Sequence, residues 1–196
     1  MLIGITGRIG SGKSAVARLA AASGFDVLDA DALAHQLYRE STDVRQELVD
    51  AFGADVLTEE GVNRAKLAEA VFSDPSALAH LERIVHPVLL QTLKKRMEDV
   101  QSRRRTLFIE AALFPRWPKF VAQLDQLWWV SASEEIRLER LISRGLLRED
   151  ALRRIALQGK LVPPSHPHFC EIPNNGSREC LLREVMQLLR GIAVVS

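Results

Sequence analysis

Glycines, a lysine and a serine near the start of the chain have the spacing of a phosphate-binding loop. The segment Gly7–Ser14 has the sequence GRIGSGKS and matches the pattern GxxxxGK[ST] at every fixed position. It lies between a predicted strand and a predicted helix, which is the context that such a loop requires. Its backbone N–H groups would surround phosphate oxygens, while Lys13 would reach the β- and γ-phosphates and the Ser14 hydroxyl would hold Mg²⁺. The segment is therefore predicted to be a P-loop.

Two carboxylates at the end of the run FDVLDAD are candidates for the chemical step. Asp29 and Asp31 follow the second predicted strand, at the edge of the sheet where ligands bind in open α/β folds. Alternate strand residues face the same side, so both carboxylates would face the crevice if the strand extends that far. A carboxylate there could accept the proton of an attacking hydroxyl as a γ-phosphoryl group is transferred. The alternative is that Asp31 caps the following helix. The chain contains no NKxD motif, which disfavours a GTPase.

The segment 131–158 is predicted to form a helical hairpin rich in arginine. Ser131 and Glu134 fit a capping box, Gly145 ends the first helix and Arg148 opens the second. The first helix carries an arginine every three or four residues, at Arg137, Arg140 and Arg144. Such a hairpin could close over a nucleotide and neutralise the transferring phosphoryl group. The alternative is that these arginines are exposed and pair with nearby glutamates. Because the chain also contains a P-loop, we favour the interpretation as a lid.

The elements that position these residues alternate between short apolar strands and helices. Five predicted strands lie within residues 2–6, 25–31, 106–113, 126–132 and 169–175. This alternation predicts an α/β fold with a five-stranded parallel sheet covered by helices on both faces. Residues 32–105 look almost wholly helical, with breaks at Gly53, Gly61, Pro75 and Pro87, and we interpret them as an inserted helical lobe. The single domain 1–196 would then comprise a nucleotide-binding core of 1–31 and 106–196, that lobe, and a lid at about 137–160.

The composition is that of an ordinary globular protein. Of 196 residues, 47% are hydrophobic and 26% are charged, which excludes a disordered chain. The 26 basic and 25 acidic residues leave a net charge of +1, which disfavours a protein that binds nucleic acid or membranes through bulk charge. No apolar run approaches the roughly 18 residues of a membrane span, and the first residues do not fit a signal peptide. We expect a cytoplasmic protein with two reduced cysteines.

Taken together, these motifs resemble the dephospho-CoA kinase family over nearly the whole chain. The similar segments are TGRIGSGKS, VLDADALAHQL, FGADVLTEEGVNRAKLAEAVFSDP, LERIVHP, LERLISRG, LREDALRRIALQ and IPNNGS. The resemblance implies a P-loop kinase fold with an inserted helical substrate lobe and a helical lid. It also implies transfer of phosphate from ATP, with Mg²⁺, to the ribose 3′-hydroxyl of dephospho-CoA, which gives coenzyme A and ADP in the last step of coenzyme A synthesis.

The resemblance further implies roles for individual residues. ATP would be held by Gly7, Ile9, Gly10, Ser11, Gly12, Lys13, Ser14 and Ala15, with Ser14 also binding Mg²⁺. The adenine would lie near Asn174, Asn175 and Gly176. Catalysis would depend on Lys13, on Asp31 as the candidate base, and on Arg140, Arg144 and Arg148 of the lid. Dephospho-CoA would be bound by Asp31, Arg64 and His86.

The chain also departs from the pattern of that family. Arg8 replaces a usual glycine, Pro115 takes the place of a glutamate, and the lid is one residue short at 144–146. Residues 159–169 replace a stretch that is usually polar and helical. Two other functions therefore stay open, namely another P-loop nucleoside or nucleotide kinase and an ATP-binding regulatory protein without catalysis. We expect a small-molecule substrate, no nucleic-acid or membrane partner, and a monomer, with a small homo-oligomer as the alternative.

Overall fold

The computed structural model describes residues 1–58, 61–72, 74–159 and 161–193, with backbone alone at 64, 65, 68, 72, 75 and 193. They form two compact units. The first unit contains Met1–Asp29 and Met97–Ser196, and the second contains Ala30–Arg96. No helix in the described part of the chain is both long enough and apolar enough to cross a membrane.

A parallel sheet of five strands forms the centre of the first unit. The strands are β1 (Leu2–Thr6), β2 (Asp26–Asp29), β5 (Leu107–Glu110), β6 (Gln126–Ser131) and β7 (Phe169–Pro173), in the spatial order β2-β5-β1-β6-β7. Every residue of β1 and β5 is buried, as expected for strands covered on both faces. The predicted five-stranded parallel sheet is confirmed. Because all strands run the same way, the residues that follow them gather at one edge.

Helices cover this sheet and connect its strands. They are α1 (Lys13–Ala22), α6 (Pro118–Val121), α7 (Glu134–Ser143), α8 (Arg148–Leu157) and α9 (Arg178–Ala193), with a 3₁₀ turn at Phe114–Arg116. A core cluster joins β1, β5 and β6 to α1 and α9, and contains Ile3, Val16, Phe108, Trp128 and Val185. Edge-to-face ring contacts link Phe25 to Phe108 at 5.4 Å and Phe108 to Trp128 at 5.2 Å. All three tryptophans, Trp117, Trp128 and Trp129, are buried in this unit. This packing holds the end of β1 and the start of α1 in a fixed relation.

The second unit, Ala30–Arg96, is mostly helical and overlaps the segment 32–105 that the sequence predicts as an inserted lobe. It contains α2 (Ala30–Glu40), α3 (Thr42–Phe52), α4 (Arg64–Phe72) and residues 75–96 of α5 (Pro75–Ser102), together with a 3₁₀ turn at Ala54–Val56. Its core consists of Val44, Leu48, Val56, Leu67, Val71, Ile84 and Val85. Sequence reading missed one element, a short antiparallel pair formed by β3 (Leu57–Thr58) and β4 (Gly61–Val62).

The expected break at Pro87 is wrong, since α5 runs through this residue without interruption. A proline inside a helix removes one N–H donor and normally kinks or ends the helix. Here the flanking residues Ile84, Val85 and Leu89 are all buried. The burial of this apolar face offsets the missing hydrogen bond, so tertiary packing overrides the local preference.

Candidate active site

The predicted P-loop connects β1 to α1 as the motif requires. Gly12 lies immediately before α1 with φ 106°, a left-handed conformation that favours glycine. A Cβ atom at this position would also overlap Nδ2 of Asn174, so the contact itself demands glycine. Lys13, the first residue of α1, is largely buried and its Nζ donates to the carbonyl oxygen of Arg8 at 3.5 Å. The ammonium group thus lies along the loop, where it can meet a phosphate.

A buried acid next to the loop was missed by sequence reading. The Ser14 hydroxyl donates to Oε1 of Glu110 at 2.7 Å. Glu110 ends β5, beside β1 in the sheet, and is 6% exposed. These two groups provide adjacent oxygen atoms and a carboxylate charge, which are the donors that Mg²⁺ prefers. They therefore fit the predicted ion. An acid at the end of the apolar run TLFIE is the signal that could have identified it.

Arg140 and Asn174 join the P-loop to two other elements. Nη1 of Arg140 donates to the Ser11 carbonyl at 3.1 Å, and Nη2 donates to the backbone oxygen of Asn174 at 2.9 Å. The Asn174 side chain accepts from Nη2 at 3.2 Å, and its Nδ2 donates to the Ser11 carbonyl at 2.7 Å. Burial and the charge of Arg144 lower the pKa of Arg140. We call this network of Ser11, Arg140 and Asn174 the loop clamp.

The residues after Asn174 lie at the start of the lid. Oδ1 of Asn175 accepts from the backbone N–H of Ser133 at 2.8 Å. A Cβ atom on Gly176 would lie 3.4 Å from Cβ of Cys180, so this glycine lies close to the first turns of α9. The predicted place of these residues near the adenine stays a prediction. Their contacts support the connection between β7, α9 and the lid.

The helices α7 and α8 form the helical hairpin that the sequence predicts as a lid, and we use that name for it. Its core contains Leu138, Leu141, Ala151 and Ile155, and Ile9 of the P-loop packs against them. The backbone N–H of Ile9 also donates to Oε1 of Gln158 at 2.6 Å. Arg144 directly follows α7 and Arg148 begins α8, and both side chains are exposed. The P-loop and the lid are thus in direct contact.

The predicted capping box at Ser131 is wrong. Ser131 is the last residue of β6 and pairs with Pro173 of β7. The helix cap is Ser133, whose Oγ accepts from the Ile136 N–H at 3.4 Å. The cap therefore lies two residues later than the sequence pattern suggested, because Ser131 is still paired in the sheet.

The remaining predicted site residues belong to the second unit. The strand β2 ends at Asp29, so the alternation expected to align Asp29 with Asp31 does not apply. The helix α2 begins at Ala30, which makes Asp31 an exposed residue of the first helical turn and not its cap. His86 is half-buried on α5. Arg64 begins α4, and its side chain lies outside the described residues.

A family match and the sequence relatives point to the same family. Residues 1–161 match the family described as dephospho-CoA kinase. The dephospho-CoA kinase of Aquifex aeolicus is 38% identical over 188 residues, which cover 95% of this chain and 94% of the relative. That of Carboxydothermus hydrogenoformans is 33% identical over 191 residues, which cover 96% of this chain and 93% of the relative.

Solved structures agree with this result. A Thermus thermophilus protein of known crystal structure has a TM-score of 0.74 and 34% identity, covering 97% of both chains. A dephospho-CoA kinase from Campylobacter jejuni shares the fold, with a TM-score of 0.66 at 21% identity and coverage of 97% of this chain and 96% of that chain. Since the family match and both sequence relatives extend over most of the chain, this protein belongs to the dephospho-CoA kinase family.

Proposed function

We propose that this protein transfers the γ-phosphoryl group of ATP to the ribose 3′-hydroxyl of dephospho-CoA, giving coenzyme A and ADP. One observation carries this assignment, namely a complete P-loop, from β1 to α1, in a chain that matches dephospho-CoA kinases along nearly its whole length. The departures at Arg8 and Pro115 leave Lys13, Ser14 and Glu110 intact.

The P-loop residues would bind and orient the phosphates of ATP. Its backbone N–H groups and the start of α1 provide positive potential, and Lys13 adds a full charge. Ser14 and Glu110 are the residues that would hold Mg²⁺, supported by their 2.7 Å contact. A Mg²⁺ ion held by these two residues would supply positive charge against the negative charge that develops during transfer.

Asp31 is our candidate for the general base. Its carboxylate is exposed in the first turn of α2, so a substrate hydroxyl can reach it. It would take the proton of the 3′-hydroxyl as that oxygen attacks the γ-phosphorus. Arg64 and His86 of the same unit would contribute to binding of dephospho-CoA.

The three predicted lid arginines differ in their surroundings. Arg140 already donates to carbonyl oxygens of the P-loop and of Asn174, so we assign it to positioning the loop. Arg144 and Arg148 are exposed and would contact the transferring phosphoryl group when the lid closes. Asn174 is likewise placed in the loop clamp, and Asn175 and Gly176 are the residues we expect nearest to the adenine.

The decisive experiment is a mass-spectrometric assay of purified protein with Mg-ATP and four separate acceptors. These are dephospho-CoA, adenosine, AMP and pantothenate. Appearance of coenzyme A with dephospho-CoA alone is the expected result. Phosphorylation of another acceptor would instead favour a different P-loop kinase. ATP binding without any phosphorylated product would favour the regulatory alternative.

We also propose that the protein works in the cytoplasm as a monomer. The two free cysteines support the first statement, because the cytoplasm keeps thiols reduced. Fractionation of the source cells and light scattering of the purified chain test them directly. A molar mass of a dimer in light scattering would contradict the proposed monomer and favour the homo-oligomer.

A further inference from the structure

The guanidinium group of Arg137 is buried with two of its nitrogen atoms unpartnered. The side chain is 3% exposed. Nε and Nη1 make no hydrogen bond to any residue that the structure describes. Nη2 lies 3.6 Å from Oε2 of Glu134, which is too far for a hydrogen bond. This ion pair offsets only part of the lost hydration, because Nε and Nη1 are buried without an acceptor.

Arg137 lies directly against the P-loop. A Cβ atom added to Gly10 would lie 2.8 Å from the backbone oxygen of Arg137 and 3.0 Å from its Cβ. Gly10 also has φ 78°, so both the conformation and the contact exclude a larger residue. The helix α7 thus packs the backbone and Cβ of Arg137 against the phosphate-binding loop.

A second guanidinium acts on Arg137 from within the loop. Arg8 follows the first glycine of the P-loop, and its Nε donates to the Leu161 carbonyl at 3.0 Å. Burial lowers the pKa of Arg137 and the positive charge of Arg8 lowers it further, while Glu134 and Glu135 offset this only in part. Two positive charges that repel each other in this way attract an anion more strongly than either charge alone.

A cavity beside Arg8 provides space for such an anion. Its volume is about 180 Å³, several times the roughly 30 Å³ that a water molecule occupies in the liquid. Besides Arg8, it is lined by Trp129, Val130, Ser131, Ala132 and Pro163. Ser131 and Ala132 lead directly into α7, the helix that carries Arg137. A tetrahedral oxyanion therefore fits beside the loop.

We propose that Arg8 and Arg137 together form an oxyanion site that takes a phosphate group. Guanidinium groups match phosphate oxygens in shape and charge, and the two unpartnered nitrogens of Arg137 supply the donors. The phosphate has two possible sources: a phosphate of the bound nucleotide, in which case the inference rests on the proposed ATP-dependent function, or free inorganic phosphate. Because the Arg137 side chain is buried, α7 would have to move for the phosphate to reach it.

Two substitutions on the lid provide a matched test. Arg137→Gln removes the charge of the buried residue. Arg153→Gln is the control, because Arg153 also lies 3.6 Å from a carboxylate three residues earlier, Asp150, yet is 71% exposed. Calorimetry of the full chain would measure the affinity for inorganic phosphate with and without saturating Mg²⁺ and a non-hydrolysable ATP analogue. It would also measure the affinity for the analogue itself.

The two arms distinguish the sources of phosphate. If free phosphate is the ligand, the wild type still binds it in the presence of the analogue, and Arg137→Gln weakens that binding about tenfold or more. If the nucleotide supplies the phosphate, the analogue abolishes the binding of inorganic phosphate. Arg137→Gln then lowers the affinity for the analogue by a similar factor. The control variant behaves as the wild type in both cases. Equal affinities of both variants and the wild type in both arms would overturn the proposal.

Further variants separate a lost anion contact from damaged packing. Arg137→Lys keeps the positive charge and should recover part of the affinity, whereas a packing defect would not depend on charge. If Arg137→Gln does not fold, Arg8→Gln tests the same site from the loop, with the same expected loss and the same contradicting result. No acceptor takes part in these measurements, so their outcome is independent of whether dephospho-CoA is the substrate.

Discussion

Three polar residues from two neighbouring strands define the phosphate end of the site. Lys13 and Ser14 follow β1, and Glu110 ends β5, which pairs with β1. The first two are predictable because their spacing is local in the sequence. Glu110 is not, since its contact with Ser14 spans 96 positions of the chain and depends on the strand order. Each of these residues makes a separate, measurable contribution.

Lys13→Ala should abolish phosphoryl transfer while the protein remains folded. The substitution removes the ammonium group that stabilises the negative charge developing on the phosphoryl group. Loss of one such hydrogen-bond donor lowers kcat about a hundredfold or more. Turnover and melting temperature should be measured together. Lys119→Ala, a change on the exposed face of α6, is the control. Substantial turnover by a well-folded Lys13→Ala protein would contradict the P-loop assignment.

Glu110→Gln should raise the Mg²⁺ concentration needed for activity. Glutamine can still accept the Ser14 hydrogen bond, but it lacks the negative charge that attracts the cation. We expect roughly a tenfold weaker apparent affinity for Mg²⁺. A titration of activity against Mg²⁺ measures this, with Glu171→Gln on the exposed part of β7 as control. An unchanged Mg²⁺ titration would remove Glu110 from the ion site.

Asp31→Asn should lower kcat by about two orders of magnitude or more if Asp31 is the base. Asparagine retains the size of the side chain but cannot accept the proton. Steady-state kinetics with dephospho-CoA separate kcat from KM. Asp43→Asn is the matched control, because Asp43 is also an exposed acid in the first turn of a helix. A rise in KM alone would make Asp31 a binding residue.

At the scale of elements, the loop clamp joins the end of β1, the lid helix α7 and the end of β7. The sequence predicted the P-loop and the helical hairpin, and the family resemblance implied that Asn174 lies near the adenine. Neither predicted that Arg140 would bond to carbonyl oxygens of the loop, because that choice depends on distances set by tertiary packing. The continuous helix at Pro87 and the cap at Ser133 were misjudged for the same reason.

Asn174→Ala should reduce both stability and the affinity for ATP. The buried amide donates to Ser11 and accepts from Arg140, and its loss leaves these groups without a partner. We expect about 1–3 kcal/mol less free energy of unfolding and a higher KM for ATP. Denaturant unfolding and kinetics provide the two measurements. Asn175→Ala, which loses one exposed contact, should cost less stability. Equal losses in the two variants would argue against the clamp.

At the scale of the whole molecule, the residues proposed to bind the nucleotide and the helical insertion lie in different units. The P-loop, Glu110, the lid and the residues after β7 all belong to the first unit. The insertion has its own buried core. In the sequence, a long stretch with a helical period of three to four residues interrupts the alternation of strands and helices, which is why an inserted lobe could be predicted. The pair β3 and β4 was too short to leave such a pattern.

Leu48→Ala should destabilise the second unit without weakening the binding of ATP. Leu48 is fully buried in the core of that unit, and removing such a side chain costs about 2–5 kcal/mol. Denaturant unfolding measures the loss, and calorimetry with an ATP analogue measures binding. Glu47→Ala, an exposed neighbour on α3, is the control. A large drop in affinity for the analogue would contradict the separation of roles.

The placement of the tryptophans makes the two units optically distinct. Trp117, Trp128 and Trp129 are all in the first unit, whereas Tyr38, the single tyrosine, is in the second. Intrinsic tryptophan fluorescence therefore reports the unfolding of the nucleotide-binding unit alone, while far-ultraviolet circular dichroism also follows the helices of the insertion. Coincident transitions would mean that both units unfold cooperatively. Separate transitions would assign a melting temperature to each unit without any label.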